Sequence, residues 1–339
     1  MIDGKQDDYL WDGSGTPEDD VVRLEQALAR YRRLPSLPPL PAPAGGRSRR
    51  AVHAAMQLAV AAASLALVAG AAWFAFSLRH AGWTVQSLAG APIVAGTPID
   101  APAILPIGEV ITTDAQSRAR IDVSTIGYVD VEPNTTLRLV TSRTREHRLA
   151  LERGLIRARI WAPPGLFFVN TPSSTAIDLG CAYTLQVDDR GFGRVLVESG
   201  WVAFEHKGRE SFIPQNAICL TRPGAGPGTP CYADAPESMQ LALTILDFEP
   251  TDDVRRAEAL DTVLSSARAK DAFTLWHLLR RVRGNERLRV YDRLASLVPP
   301  PPEAARDRVL AGDRRALDAW WNALGLDTAS WWRIWKRKW

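Results

Sequence analysis

The chain has 339 residues, with 41 Lys or Arg against 38 Asp or Glu and a formal net charge of +3. Such a balance lacks the concentrated basic stripe of a nucleic-acid face. Catalytic constellations are missing as well. The five histidines are scattered, none at metal-ligand spacing from another or from a cysteine. There is no phosphate-binding glycine loop, and Gly13-Ser14-Gly15 lacks the strand–turn–helix context of a nucleophile elbow. Glu198 and Glu205 lie on predicted strands with nothing to pair them as acid and base. The expectation is a noncatalytic protein with no cofactor and no metal.

Residues 1–34 predict one short helical segment. Thr16-Pro17-Glu18-Asp19 reads as a helix start, with Thr16 as N-cap and Pro17 at the first helical position. Val21, Leu24, Leu28 and Tyr31 recur at helical spacing as one apolar stripe. So few residues cannot build their own core. The stripe therefore predicts packing on a second copy, a membrane surface or a protein groove, with a solvated tail as the bland reading. The mixed sign of the polar face speaks against a purely electrostatic membrane helix. Tyr9, Trp11, Val21, Leu24 and Leu28 form the candidate partner-binding surface. Residues 35–50 read as a proline-rich and basic linker, extended and semi-rigid.

Residues 51–79 predict a single transmembrane helix. Its centre, residues 54–78, holds 25 residues without a charge. At about 1.5 Å per residue that length crosses a hydrocarbon core of about 30 Å. Arg30, Arg32, Arg33, Arg47, Arg49 and Arg50 precede it, and Arg79 follows it. By the positive-inside rule the N-terminus is cytoplasmic and the bulk of the chain is exported. The expectation is a single-pass protein of a bacterial inner membrane with a periplasmic C-terminus. Ala62, Ala66 and Gly70 repeat at four-residue spacing, which would let two copies approach as a homodimer. The cysteines, Cys181, Cys219 and Cys231, fall on the exported side, where one disulfide is permitted and one thiol is left over. Three pairings are open, as are three unpaired thiols; Cys181–Cys219 would link two predicted strands.

Residues 84–235 change to short alternating runs broken by Gly, Pro and Asp, such as RARIDV (118–123), LIRARI (155–160), AYTLQV (182–187), RVLVE (194–198) and WVAFE (201–205). Period-two alternation with frequent turn signals predicts an all-β domain. Asp188-Asp189-Arg190-Gly191 is a hairpin turn within it. Residues 236–339 switch to helical periodicity, with helices expected over 238–248, 252–267, 271–281, 286–297, 302–311, 314–324 and 328–338. Short connections between them predict a bundle or a small helical-repeat stack. Trp320, Trp321, Trp331, Trp332, Trp335 and Trp339 crowd its end, either as a buried face or as a surface for a partner, a glycan or a membrane.

Five motifs in the β region, taken together, resemble the FecR domain. They are Gly108-Glu109-Val110-Ile111-Thr112-Thr113, Pro133-Asn134-Thr135-Thr136-Leu137, Leu149-x-Leu-x-x-Gly154, Phe168-Val169-x-Thr171-Pro172 and Val195-x-Val197-x-x-Gly200. One departure is Gly180-Cys181-Ala182-Tyr183, where the family usually has Gly-Thr before the aromatic. A thiol thus replaces a buried hydroxyl, a second pointer to a disulfide at Cys181. The resemblance implies a membrane-anchored, noncatalytic regulator. Its exported domain would receive a signal from a periplasmic protein or glycan, and its N-terminal segment would bind an extracytoplasmic-function sigma factor. The alternative is a noncatalytic structural or binding protein of the envelope whose N-terminus is only an anchor.

Overall fold

The computed structural model describes residues 9, 13–31, 56, 60, 62–70 and 82–326. The chain divides into two compact units, Met1–Gly70 and Ala71–Trp339. In the first, α1 (Asp19–Leu28) runs on into a 3-10 turn, Ala29–Tyr31. Its N-cap is Glu18, without a side-chain hydrogen bond, so Thr16 and Pro17 precede the helix instead of starting it. Asp19 and Asp20 occupy the first turn, where carboxylates favour the positive end of the helix dipole.

Among the described residues no helix is long and apolar enough to cross a membrane. Within the segment expected to span, residues 62–70 are helical. That is about 14 Å of helix, roughly half the hydrocarbon thickness. Apart from residues 56 and 60, the rest of the segment lies outside the described residues. The expected single transmembrane helix is therefore corrected, and with it the single-pass, inner-membrane placement that rested on it. Eleven of the 25 uncharged residues are alanine. Alanine buries little area, so such a run has a weaker apolar drive than a leucine-rich one.

The second unit opens with β1 (Gly82–Ala89), β2 (Ile93–Val94), β3 (Thr97–Pro98), β4 (Ala103–Pro106), β5 (Val110–Thr112), β6 (Arg118–Val123), β7 (Gly127–Val131), β8 (Thr136–Arg143) and β9 (Glu146–Ile160). It continues with β10 (Phe167–Asn170), β11 (Thr175–Asp178), β12 (Ala182–Val187), β13 (Gly193–Ser199), β14 (Trp201–His206), β15 (Arg209–Pro214), β16 (Ala217–Arg222), β17 (Gly226–Pro227) and β18 (Cys231–Tyr232). One layer has the order β4-β1-β6-β7-β9-β12-β13-β16, with β17 and β18 on β16. The other has the order β3-β2-β5-β8-β9-β10-β11-β14-β15. Pairing is antiparallel except for β9 with β10. The inward residues alternate as expected; in β6, Ala119, Ile121 and Val123 are fully buried.

β9 belongs to both layers. Its first half pairs with β8 and β10, and its second half with β7 and β12. The changeover falls at Gly154, with φ of +101°. A Cβ there would lie 2.3 Å from Thr135 Oγ1 and 2.4 Å from Thr135 Cα. The close approach lets Thr135 stitch the bend: Leu155 N donates to Thr135 Oγ1 at 3.0 Å, and Thr135 Oγ1 lies 3.2 Å from Leu155 O as donor. Two motifs far apart in sequence, Pro133-Asn134-Thr135 and Leu151-x-x-Gly154, are thus two sides of one contact.

Helices α2 (Glu237–Phe248), α3 (Asp253–Ser266), α4 (Ala272–Leu279), α5 (Gly284–Leu297), α6 (Arg306–Leu310) and α7 (Arg314–Ala323) follow. The helix expected over 302–311 is broken: a 3-10 turn at Pro302–Ala304 is separated from α6 by extended Ala305, ψ 142°. The helix expected over 328–338 lies outside the described residues. Every residue of α4 is buried, because the helix lies between the strands and the other helices. Phe212 N on β15 donates to His277 Nε2 at 3.0 Å. His277 Nδ1 therefore carries the ring proton and donates to Phe273 O at 2.8 Å. Trp321 packs on Trp201, Phe212 and Trp276, with ring centroids 6.1, 5.7 and 4.6 Å apart. Strands and helices share one apolar core. Trp320 and Trp321 are part of it, while Trp331, Trp332, Trp335 and Trp339 lie outside the described residues.

Candidate functional site

The sequence-predicted partner surface is displayed on α1. No residue of this helix is buried. Leu24 is 63% exposed, Leu28 53% and Tyr31 72%. Val21 is half-buried, and Trp11 lies outside the described residues. Tyr9 is brought onto the helix, its hydroxyl donating to Glu25 Oε2 at 3.1 Å. Val22, Glu25, Gln26, Leu28 and Ala29 make up an adjoining face of the same segment. Four of these were not singled out from sequence, although 22, 25, 26 and 29 are themselves at helical spacing.

The cysteine sites resolve differently from expectation. All three thiols are free and buried, so the Cys181–Cys219 disulfide is not formed. The strand register explains why. Cys219 lies opposite Val195 on β13, and Val195 opposite Leu185 on β12. Cys181, just before β12, is thus two strands away and four residues along. Two strand spacings alone are about 10 Å, beyond the roughly 7 Å between Cα atoms that a disulfide spans. Cys219 Sγ donates to Gly228 O at 3.2 Å.

Cys181 Sγ instead donates to Asp178 Oδ2 at 2.8 Å, and Gly180 N to Asp178 Oδ1 at 2.7 Å. Asp178 is 2% exposed. Burial pushes its carboxyl up from 3.8 to about 7, more than the donated bonds lower it. Burial, followed by the nearby Asp178, pushes the Cys181 thiol up as well. A carboxyl raised in the folded state binds its proton more tightly there than in the unfolded chain. Its contribution to stability is complete below about pH 4 and is lost as pH rises through about 7. The interval corresponds to on the order of 4 kcal/mol. Urea unfolding of wild type and Asp178→Asn should therefore diverge in favour of the variant as pH rises from 5 to 8. Parallel pH profiles would show that Asp178 ionises freely in the fold.

A second polar cluster joins the strands to the helices. Asp247, near the end of α2, has a side chain only 4% exposed. It accepts from Arg209 Nη2 at 2.7 Å, Arg281 Nη1 at 3.0 Å, Thr229 N at 2.5 Å and Thr229 Oγ1 at 3.1 Å. Arg281 also reaches Ser211 Oγ on β15 at 2.7 Å. One carboxylate thereby ties β15, the loop before β18, α2 and Arg281, two residues past the end of α4. Both of the carboxylate's oxygens are taken by donors, which makes it a structural joint. Among the described residues no group of three or more His, Cys, Asp or Glu side chains is placed to hold a metal.

No protein-family model matches the chain, and no curated protein matches its sequence. Two crystal structures of a candidate anti-sigma factor from Parabacteroides distasonis, at 1.65 and 2.50 Å resolution, are similar in part. Each is 16% identical with a TM-score of 0.33, covering 46% and 45% of this chain and 74% and 73% of its own. The FecR resemblance therefore has no family-model match behind it.

Proposed function

We propose that the chain is a noncatalytic regulator whose helix α1 binds a sigma factor of the extracytoplasmic-function class, with the β-rich unit as its signal-receiving part. The observation that carries this reading is the open apolar stripe of α1. A ten-residue helix that buries none of its residues is marginal in water by itself. Leu24, Leu28 and Tyr31, all more than half exposed, supply the anchors of helix-in-groove recognition. The FecR-like motifs of the β region agree with a regulatory role.

Capture of partners on the full-length chain tests it. Wild type should recover a sigma factor, and Leu24→Glu/Leu28→Glu should lower that capture about tenfold or more, the loss of one or two interface anchors. Both leucines are exposed, so the fold should be unaffected. Recovery of no sigma factor by wild type, or equal capture by the variant, overturns the assignment.

A further inference from the structure

The outer face of β13 and β16, together with one flank of α2, forms a cleft. Two adjoining hollows, about 260 and 270 Å³, share Arg194 and Leu220 in their walls. The first is lined by Ile218, Leu241, Thr244 and Phe248 among others, the second by Phe192 and Arg222. Leu241 is 58% exposed and Phe192 38%, so the apolar walls face solvent. Arg222 is held between two rings, its guanidinium carbon 5.1 Å from the Phe192 centroid and 5.0 Å from that of Phe248. Neither Arg194 nor Arg222 makes an ion pair among the described residues, although eighteen other ion pairs are formed. Two uncompensated guanidinium groups thus stand at one end of an apolar trough.

The acids around the cleft do not neutralise them. Asp247 is saturated by its own donors. Asp188 Oδ1 accepts from Arg190 N and Phe192 N within the hairpin turn. Glu237 lies at the opposite end of α2 from Phe248, about 16 Å along the helix. The charge is therefore polar along the trough: positive at the Phe192–Phe248 end, apolar through Leu220, Ile218 and Leu241, acidic at the far end. A cleft of mostly apolar lining with a few convergent polar groups is the usual form of a small-molecule site.

We propose that this cleft binds an anionic amphiphile of the medium-chain fatty carboxylate class. The carboxylate is taken by Arg194 and Arg222, and the hydrocarbon chain lies along Leu220, Ile218 and Leu241. Planar guanidinium groups suit a carboxylate, and a stacked one is already oriented. The assignment goes beyond sigma-factor binding and stands or falls independently of it.

Calorimetric titration of the full-length chain tests it, with decanoate as probe and decanol and decyltrimethylammonium as controls. Decanoate should bind saturably and about tenfold or more tighter than either control, the size of one charge-assisted hydrogen bond. Arg194→Ala should lose the preference for decanoate over decanol. Leu241→Asp, at an exposed position that leaves the core intact, should weaken decanoate about tenfold. Equal binding of decanoate and decanol overturns the proposal, as does an Arg194→Ala or Leu241→Asp variant with wild-type affinity. So does saturation by an acidic peptide where decanoate fails.

Discussion

Asp247→Ala is expected to destabilise the β-rich unit by about 3–5 kcal/mol, the usual cost of removing one partner from a buried ion pair. Arg281 and Arg209 lie within 3.0 and 2.7 Å of the same carboxylate oxygen. Burial and the like charge of Arg281 already push the Arg209 guanidinium down. Without Asp247 the two cations face each other with no anion between them. The backbone N–H of Thr229 also loses its acceptor, at about 1–3 kcal/mol if left unsatisfied. Urea unfolding of the full-length chain measures the effect, and the midpoint should fall with little change in slope. Asp247→Asn, which keeps shape and one acceptor, should fall between wild type and Ala. A loss under about 1 kcal/mol for Ala would mean that water replaces the carboxylate and that the joint is not dry.

Gly154→Ala is expected to cost about 3–5 kcal/mol or to prevent folding. Two penalties combine there. A left-handed φ of +101° costs a non-glycine residue roughly 1–3 kcal/mol. The added methyl would also meet Thr135 Cα at 2.4 Å, a backbone atom of a stitched turn that cannot swing aside, and overpacking adds about 1–3 kcal/mol. Thr135→Ser keeps the hydroxyl and should cost far less, within about 1.5 kcal/mol for a lost methyl. Thermal unfolding of both variants separates the roles. If Gly154→Ala folds as stably as wild type, β9 bends elsewhere and the two motifs are not mechanically coupled.

How much was legible in the sequence depended on whether a feature is local. RARIDV became β6 without a shift, and AYTLQV became β12, because alternation at period two is written in the strand itself. The Asp188 turn was equally readable, since one side-chain oxygen takes the N–H groups of Arg190 and Phe192. β9 was read only from residue 155 onward. Gly154 reads as the start of a strand, whereas the strand begins at Glu146 and runs through it by bending between layers. The cysteine pairing failed for a related reason: identity and spacing do not fix register, and register separates Cys181 from Cys219. The span failed because its described helical stretch, residues 62–70, is too short to cross a hydrocarbon core. The cleft was invisible because its walls come from β13, β16 and α2, which only the fold brings together.

The covering of β15 by α4 has a consequence for the growing chain. Among the described residues β15 pairs with β14 alone, and the outward Phe212 N–H is taken by His277 of α4, some 60 positions later in the sequence. During synthesis the strand therefore emerges with an open hydrogen-bonding edge, flanked by Phe212 and Ile213. Such an edge is a template for pairing with another chain. Aggregation should concentrate in that interval. A truncation ending after β18 should be recovered as intermolecular β assemblies, while the chain that reaches α7 shields itself from its neighbours.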